Sequence, residues 1–249
     1  MSQRKLPINL FISDLHLSQE QPETVGLFLH FLQQQAPQAD NLYILGDLFD
    51  TWIGDDDTTP PIPSIISALK QLSESGTNIF IQPGNRDFLL GQEFISATGS
   101  TLLPDIYVIE LEGIPTLLMH GDLLCSDDKE YQQARLMLRS DAFAQDFLPK
   151  TIDERRAIAA NYRQRSGEAT SLKAEKLMDV NHTTVIETMQ RNGVLRLIHG
   201  HTHRPNFHDF ELNGKAAQRI VLSEWHKDHG TALQITNTGI ISRPIELPT

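Results

Sequence analysis

Five short segments of this 249-residue chain carry side chains that could bind metal ions. The segments are DLH, GDLFD, GNRD, HGD and HGHTH, and their candidate ligands are Asp14, His16, Asp47, Asn85, His120, His201 and His203. Carboxylate, amide oxygen and imidazole suit Mn, Fe or Zn, and these segments offer no thiolate that would demand a softer ion. Two ions ~3.5–4 Å apart need a bridging carboxylate, and Asp47 is a good candidate for that bridge.

Each segment taken alone also has an ordinary structural explanation. An isolated Asp14-Leu15-His16 or Gly46-Asp47 is more often a turn than a set of ligands, and Gly84-Asn85 is typical of turn geometry. The cluster His199–His203 is a stronger indication of metal binding. The order of all five segments, each at the end of a predicted strand, decides in favour of a shared site.

The elements that must position these side chains alternate between strand and helix in the first hundred residues. Buried strands are predicted at residues 8–13, 42–45 and 78–82, with helices at 24–35 and 64–75 between them. This βαβαβ order predicts parallel strands with helices on the faces of the sheet. Ligands gather beyond the carboxyl ends of strands in α/β sheets, so the five segments are expected to meet in one pocket.

The second half of the chain returns to strands after a helical interruption. A hairpin is predicted over residues 106–111 and 115–120, and later strands at 195–199, 218–222, 231–235 and 240–243. Between these two groups of strands the pattern is helical. We therefore expect an α/β core formed by residues 1–124 and 193–249, with a helical lid inserted at residues 125–192.

Composition limits the classes of function. The net charge of −11 argues against general nucleic-acid binding, which depends on basic residues that neutralise phosphates. The apolar stretch before Asp14 is too short and too charged for a signal peptide, and no later window offers about 18 uninterrupted apolar residues. The sole cysteine, Cys125, allows no internal disulfide, which favours a reducing compartment, and a buried inert thiol is its expected state.

In their order and residue types, the five segments resemble the sequence blocks of the calcineurin-like metallophosphoesterases. The resemblance extends from Asp14 to His203 and implies a four-layer αββα sandwich with two metals at the sheet edge. The ligand sets that it implies are Asp14, His16, Asp47 and His203 for the first ion, and Asp47, Asn85, His120 and His201 for the second. His199, the first histidine of HGHTH, is expected to be structural.

One segment departs from the common pattern of this family. Many members have GNHD, in which the histidine assists protonation of the leaving group, whereas this chain has GNRD with Arg86. Arginine is a poor general acid but binds phosphate oxygens well through its planar fork of N–H groups. Arg86 therefore favours a leaving group that needs no strong protonation, such as the phosphate of a pyrophosphate.

This variant, together with LYILGDLFDTWIGDDD, MHGDLLCSDD and IHGHTHRP, is similar to a subfamily of these enzymes, the UDP-2,3-diacylglucosamine hydrolases of bacterial lipid A synthesis. The similarity implies Mn-dependent hydrolysis of a pyrophosphate bond to UMP and 2,3-diacylglucosamine 1-phosphate by a water activated between two metals. The catalytic residues that it implies are Asp47, Asn85, Arg86 and His120. The implied substrate contacts are Asn85, Arg86, Asp128, Ser166, Thr170, Lys173 and His201, with Thr170 standing where relatives have Asn.

The helical segment from Lys129 to Lys176 is locally basic, with ten Lys or Arg against seven Asp or Glu. Such a surface suits anionic partners, although an ordinary solvated helix face explains these residues as well. The resemblance favours a cytoplasmic protein at the anionic inner face of the bacterial inner membrane, because the implied substrate carries two acyl chains. No nucleic-acid partner and no obligate protein partner are expected.

Two other functions stay open. The same core could act on another phosphomonoester or phosphodiester, which strong turnover of phosphopeptides or cyclic nucleotides would reveal. The chain could also be a non-catalytic scaffold that kept the fold. That alternative predicts eroded ligands and no bound metal, whereas every expected ligand residue is present in this sequence.

Overall fold

The computed structural model describes residues 7–172 and 179–247, and for residues 165–172 it describes the backbone alone. The strands are β1 (Asn9–Ile12), β2 (Asn41–Leu45), β3 (Asn78–Gln82), β4 (Thr101–Leu102), β5 (Tyr107–Leu111), β6 (Ile114–Leu118), β7 (Arg196–His199), β8 (Asn206–Leu212), β9 (Lys215–Val221), β10 (Gly230–Thr236) and β11 (Gly239–Ile245). The helices are α1 (Pro22–Gln34), α2 (Ile62–Glu74), α3 (Gln92–Thr98), α4 (Lys129–Leu138), α5 (Asp141–Phe147), α6 (Ile152–Leu172) and α7 (His182–Arg191). These elements form two sheets flanked by helices.

The first sheet has the order β11-β10-β1-β2-β3-β4. Strands β1 to β4 are parallel, and β10 and β11 add two antiparallel strands at one edge. The predicted βαβαβ unit is therefore confirmed. Because β1, β2 and β3 are parallel, their carboxyl ends lie along one edge of this sheet.

The second sheet has the order β5-β6-β7-β9-β8. Strands β5 and β6 form the predicted antiparallel hairpin, β6, β7 and β9 are parallel, and β8 pairs with β9 antiparallel. Strands β6 and β7 lead directly into the HGD and HGHTH segments. The second sheet thus supplies three of the four candidate histidines, and the first sheet supplies His16 and the three candidate oxygen ligands.

Three hydrophobic clusters show the order of the layers. Alternate residues of β1 point to opposite sides, so Leu10 and Ile12 pack against α1 and α2 while Phe11 packs against the second sheet. The third cluster joins Leu197 of the second sheet to Val185 on α7. The layers are therefore helix, sheet, sheet and helix, which confirms the predicted αββα sandwich.

Helices α1 and α2 form where the sequence repeats apolar residues at helical spacing. In α1, Leu27, Phe28, Phe31 and Leu32 are buried against the first sheet, and Pro22 occupies the first turn, where its missing N–H costs nothing. Burying a large apolar side chain contributes about 1.5–3 kcal/mol. The inner face of α1 thus fixes the outer layer in place.

The helices of the predicted insertion differ in what they pack against. Helix α7 lies on the outer face of the second sheet through Val185 and Met189, both almost fully buried. Helices α4, α5 and α6 carry several exposed apolar side chains instead. We propose that these three helices form the lid and that α7 belongs to the core layer, which would shorten the predicted lid of residues 125–192.

The sequence did not predict α3, β4 or β8. Helix α3 has only seven residues, too short for a clear periodic pattern, and ends at Gly99 in the left-handed conformation. Strand β8, with the sequence NFHDFEL, is an edge strand with mostly exposed residues. Its polar residues weaken the sequence pattern of a strand. The segment is extended because it pairs with β9, not because its own residues strongly favour a strand.

Candidate metal centre

The candidate ligands come from loops at the ends of five strands. Asp14, Asp47 and Asn85 follow β1, β2 and β3 in the first sheet, and His120 follows β6 in the second. His201 and His203 lie just beyond β7. Both sheets therefore deliver their ligands to one common edge.

The backbone is strained at most of these positions. Among the described residues, seven that are not glycine have a positive φ angle. Five of them are Asp14 (56°), His16 (50°), Asp47 (53°), His201 (70°) and His203 (53°). Residues with a side chain adopt this conformation at a cost and mainly where function requires it. The other two, Glu112 and Asn213, lie in hairpin turns, whereas these five are concentrated in the loops that carry the candidate ligands.

Backbone hydrogen bonds between the loops hold the strained segments together. The Asp14 N–H donates to the carbonyl of Gly46 at 3.1 Å, and the His16 N–H donates to the carbonyl of Asp47 at 3.0 Å. The His201 N–H donates to the carboxylate of Asp14 at 2.9 Å. The three loops therefore form one cross-linked unit, which limits how far the side chains can move apart.

A first group of ligand atoms is formed by Asp14, His16 and His203, whose donor atoms all lie within 4.8 Å of one another. Nε2 of His16 and Nε2 of His203 are 3.4 Å apart, and Nε2 of His203 lies 3.5 Å from Oδ1 of Asp14. Two ligands at 2.0–2.1 Å from one ion lie about 3.0–3.4 Å apart. The spacing of this group suits one shared cation.

A second group contains Asn85, His120 and His201. Nε2 of His120 lies 2.9 Å from Oδ1 of Asn85 and 3.2 Å from Nδ1 of His201, which in turn lies 2.8 Å from the same Asn85 oxygen. The Nδ1–H of His120 donates to the carbonyl of Leu45 at 2.9 Å. Its Nε2 lone pair therefore faces Oδ1 of Asn85 and Nδ1 of His201, and a cation among these three atoms would satisfy them.

Asp47 lies between the two groups. Its Oδ2 is 3.9 Å from Nδ1 of His16, and its Oδ1 is 3.7 Å from Nε2 of His120. Asp14, Asp47 and His120 also form a set whose donor atoms lie within 4.8 Å of one another, so Asp14 reaches both sides as well. The carboxylate of Asp47 lies where a bridge between the two groups would have to stand, and Asp14 lies closer to the second group than the sequence suggested.

Several buried carboxylates lie close together in this pocket. Burial and the neighbouring carboxylates of Asp87 and Asp14 raise the pKa of Asp47 to about 7, although His120 opposes the shift. For His120, burial lowers the pKa, but the charges of Asp47 and Asp14 outweigh it and raise the pKa overall. A divalent cation would offset this charge, so the electrostatics fit a metal site.

Two histidines are held in the neutral form that metal binding requires. Burial lowers the pKa of His16 to about 3 and that of His201 to about 4. Nδ1 of His16 is buried and has no hydrogen-bond partner among the described residues. An uncharged ring with an unsatisfied nitrogen directed into a carboxylate pocket is well suited to a metal ion.

Two glycines let the backbone pass close to the carboxylates of Asp47 and Asp14. A Cβ atom at Gly84 would collide with the carboxylate of Asp47, and one at Gly200 would collide with that of Asp14. Glycine is therefore required at both positions by space alone. These contacts, the orphaned nitrogen of His16 and the donor types together fit a centre with two divalent cations.

The other predicted residues have different environments. His199 is fully buried, its Nδ1–H donates to the carbonyl of Gly200 at 2.8 Å, and its Nε2 accepts from Arg219 at 3.2 Å, so it lies outside both ligand groups. Arg86 is half-buried, and its charge contributes to lowering the pKa of His16. The carboxylate of Asp128 accepts the N–H of Tyr131 at 3.0 Å and caps α4.

The remaining three predicted substrate contacts cannot be placed. Ser166 and Thr170 belong to the backbone of α6, but their side chains lie outside the described part of the structure. Lys173 lies outside the described residues altogether. The structure therefore bears on four of the seven predicted substrate contacts.

Two acidic residues near the site were missed by the sequence analysis. Asp87 is fully buried and accepts backbone N–H groups from the loops that carry Asp47 and Asn85. Glu224 contacts His203 from the loop after β9. Asp87 could have been found as the last residue of GNRD, whereas Glu224 lies in no recognisable segment and its role depends on tertiary position.

Comparison with known proteins identifies the class. Residues 10–205 match the model of the calcineurin-like phosphoesterase family, and the chain belongs to that family. The family implies a dimetal centre, for which the two ligand groups described above are the candidates.

Individual relatives are similar over most of their length. The chain is 48% identical over 240 residues to the UDP-2,3-diacylglucosamine hydrolase of Edwardsiella ictaluri, covering 96% of this chain and 92% of that protein. It is 46% identical to the protein of the same name from Stenotrophomonas maltophilia, covering 92% of this chain and 95% of that protein. Among solved structures, vacuolar protein sorting 29 from Cryptosporidium parvum matches with a TM-score of 0.49 and 14% identity, covering 98% of this chain and 93% of that one.

Proposed function

We propose that this protein hydrolyses the pyrophosphate bond of UDP-2,3-diacylglucosamine to give UMP and 2,3-diacylglucosamine 1-phosphate, a step of lipid A biosynthesis. The observation that carries the proposal is 48% identity over nearly the full length to a relative of that name. The grouped candidate ligands support it, because the reaction needs a charge-stabilising centre. The proposed class is a metal-dependent nucleotide-sugar diphosphatase.

The proposed metal ligands form two sets that share Asp47. The first set is Asp14, His16, Asp47 and His203, and the second is Asp47, Asn85, His120 and His201. Two divalent cations, when bound, would lower the pKa of a water and offset the charge of phosphate oxygens. We propose Mn²⁺ as the ion, with Fe or Zn compatible with the same donors.

The proposed catalytic residues act by holding donors in fixed directions. Asp47 turns one carboxylate oxygen towards each ligand group. The hydrogen bond from Nδ1–H of His120 to the carbonyl of Leu45 fixes the imidazole ring so that Nε2 faces the pocket. The amide oxygen of Asn85 lies against the two histidines, which allows its N–H group to donate to a phosphate oxygen.

Arg86 is proposed to bind the phosphate rather than to move a proton. Its backbone N–H donates to Oδ1 of Asp47 at 2.8 Å, so its side chain begins at the edge of the pocket. Its permanent positive charge stabilises the charge on the phosphoryl oxygens. Each of the two products carries a phosphate monoester with a second pKa of about 6, so either phosphate can leave at neutral pH without a strong acid.

The lid is proposed to hold the sugar and its acyl chains. Asp128, Ser166, Thr170 and Lys173 are the proposed polar contacts there, together with His201 from the core. Among the side chains that the structure describes in the lid, Leu136 (73%), Met137 (48%), Leu148 (41%) and Tyr162 (39%) are large, apolar and exposed. Exposed apolar side chains on and beside helices suit a lipid-facing surface.

We propose that this lid surface contacts the cytoplasmic face of the bacterial inner membrane. The described arginines of α6 contribute little to that proposal, because Arg155, Arg156 and Arg163 pair with acidic residues of the core. The apolar side chains carry it instead. No helix in the described ranges is long and apolar enough to cross a bilayer, so contact through a surface is the proposed mode.

The proposed reaction is tested by supplying UDP-2,3-diacylglucosamine with Mn²⁺ and measuring released UMP. We expect turnover by the wild type and nearly complete loss in Asp47→Ala. The same assay with cyclic nucleotides and phosphopeptides examines the other phosphoesterase activities. Strong turnover of those compounds without UMP release would overturn the assignment, and absence of both turnover and bound metal would favour a scaffold.

A further inference from the structure

A carboxylate outside the five segments contacts a candidate metal ligand directly. Oε2 of Glu224 contacts Nδ1 of His203, and Oε1 of Glu224 lies 3.0 Å from Nε2 of His226. Glu224 is only 27% exposed and belongs to the loop of residues 222–229, between β9 and β10. Both carboxylate oxygens of Glu224 therefore have a histidine partner. One of these partners, His203, is a proposed ligand of the first ion.

The loop that carries Glu224 is firmly held. The N–H of the next residue, Trp225, donates to the carbonyl of Asp14 at 3.0 Å. The Trp225 ring is 3% exposed and packs edge-on against Phe28 and Phe31 of α1. These contacts join the loop to the core and to the Asp14 segment, so Glu224 is positioned by the fold rather than by chance.

The contact with Glu224 determines which nitrogen of His203 faces the site. A carboxylate accepts only from a protonated nitrogen, so Nδ1 carries the hydrogen and Nε2 keeps its lone pair. That Nε2 is the atom near Asp14 (3.5 Å) and His16 (3.4 Å). We propose that Glu224 is a positioning residue for the first cation, which holds His203 in the tautomer and orientation that bind the ion.

The inference rests on the proposed dimetal centre and extends it to a residue outside the ligand sets. In carboxylate–histidine–metal arrangements, removal of the outer carboxylate weakens metal binding by about 10–100-fold. Because Glu224 contacts His203, which belongs to the first ligand set alone, the loss should fall on one of the two ions. The affinity for the second ion should stay as in the wild type.

A suitable control exists in the same cleft. Glu224 and Glu20 both line a cavity of about 390 Å³ beside His16. Glu20 is exposed and lies in a turn before α1. Glu20→Gln therefore removes a negative charge from the same cleft without removing the contact with His203. It separates the effect of total charge from the effect of the specific contact.

The experiment is a titration of chelator-stripped protein with Mn²⁺, in which free Mn²⁺ is followed by electron paramagnetic resonance. We expect two ions in the wild type and in Glu20→Gln. In Glu224→Ala one affinity should fall about 10–100-fold, and in Glu224→Gln it should fall less, because the amide oxygen still accepts from Nδ1. Activity of Glu224→Ala should recover as Mn²⁺ is raised.

Wild-type affinities for both ions in Glu224→Ala, or an equal loss at both sites in Glu224→Gln, would overturn the inference. Thermal unfolding followed by circular dichroism shows whether Glu224→Ala is folded, and the near-isosteric Glu224→Gln keeps the test valid if it is not. Failure of the proposed function would give a different result from failure of this inference. In that case the wild type would bind two ions and the variants would behave as expected, but no UMP would be released.

Discussion

Asp87 shows how one buried side chain shapes the loops that carry the ligands. The donors to its carboxylate, at 2.7–3.3 Å, are the backbone N–H groups of Gly84, Asp47, Leu48 and Phe49. Burial raises the pKa of Asp87, and these hydrogen bonds act against that shift. Its role is to fix loop geometry next to the site.

Replacing Asp87 by Asn should destabilise the protein. The NH2 group of Asn cannot accept, so the two backbone N–H groups that bond to the oxygen it replaces lose their partner at about 1–3 kcal/mol each. We expect a loss of roughly 2–6 kcal/mol in the free energy of unfolding, measured by urea denaturation. The control is Asp146→Asn, whose side chain is 82% exposed. Equal midpoints for the two variants would contradict this role.

Cys125 should be unreactive in the folded protein. It is 3% exposed, and burial together with the charge of Asp122 raises the pKa of its thiol to about 12. At pH 8 only about one thiol in ten thousand is then the reactive thiolate. Labelling with a thiol reagent should be slow in the native protein and fast in denaturant. Equal rates in both conditions would show that the thiol is accessible.

At the scale of elements, helix α6 is attached to the loop after β2. The guanidinium of Arg155 donates to the carbonyl of Ile53 at 2.7 Å and to both carboxylate oxygens of Asp56. It is 2% exposed, although Asp56 is largely exposed. Arg163 adds a contact with Asp50 further along the helix. The basic residues of the lid therefore join it to the core.

Arg155→Ala should loosen the lid without removing any candidate ligand. We expect a loss of about 1–3 kcal/mol in stability, faster proteolysis within the lid and lower activity on a lipid-linked substrate. Arg156→Ala is the matched control, because Arg156 lies next to Arg155 but its side chain is 49% exposed. Similar proteolysis of the two variants would show that the contact of Arg155 does not hold the lid.

The strength of the sequence pattern determined which elements could be predicted. The strand at residues 78–82 was predicted with its observed bounds, because buried β-branched and apolar residues end at a Pro-Gly turn. The parallel order of β1, β2 and β3 followed from alternation with helices. Strand β8 was missed because its order comes from pairing with β9 rather than from its own residues.

For the molecule as a whole, the candidate centre should also contribute to stability. A ligand that binds only the folded state stabilises it by about 2.7 kcal/mol at 100 times its Kd. For a chain of this size that corresponds to roughly 5–10 °C in Tm. Treatment with a chelator should therefore lower Tm, and Mn²⁺ should restore it whereas Ca²⁺ should restore less. An unchanged Tm in both steps would argue against metal binding by the folded state.

The sequence predicted which side chains would meet better than it predicted what surrounds them. The seven candidate ligands were found because metal-binding residue types recur just beyond strand ends, and the αββα fold brings those ends to one edge. Glu224 and the contact between Arg155 and Asp56 could not be found in this way. Each depends on side chains from distant segments meeting in three dimensions, which no local spacing encodes.

The central claim is that loops from both sheets assemble one site for two cations. The most direct test is a crystal structure of the Mn²⁺-loaded protein with anomalous scattering collected at the manganese edge. We predict two anomalous peaks about 3.5–4 Å apart, with Asp47 between them, His16 and His203 on one and His120 and His201 on the other. A single peak, no peak, or peaks away from these side chains would contradict the account.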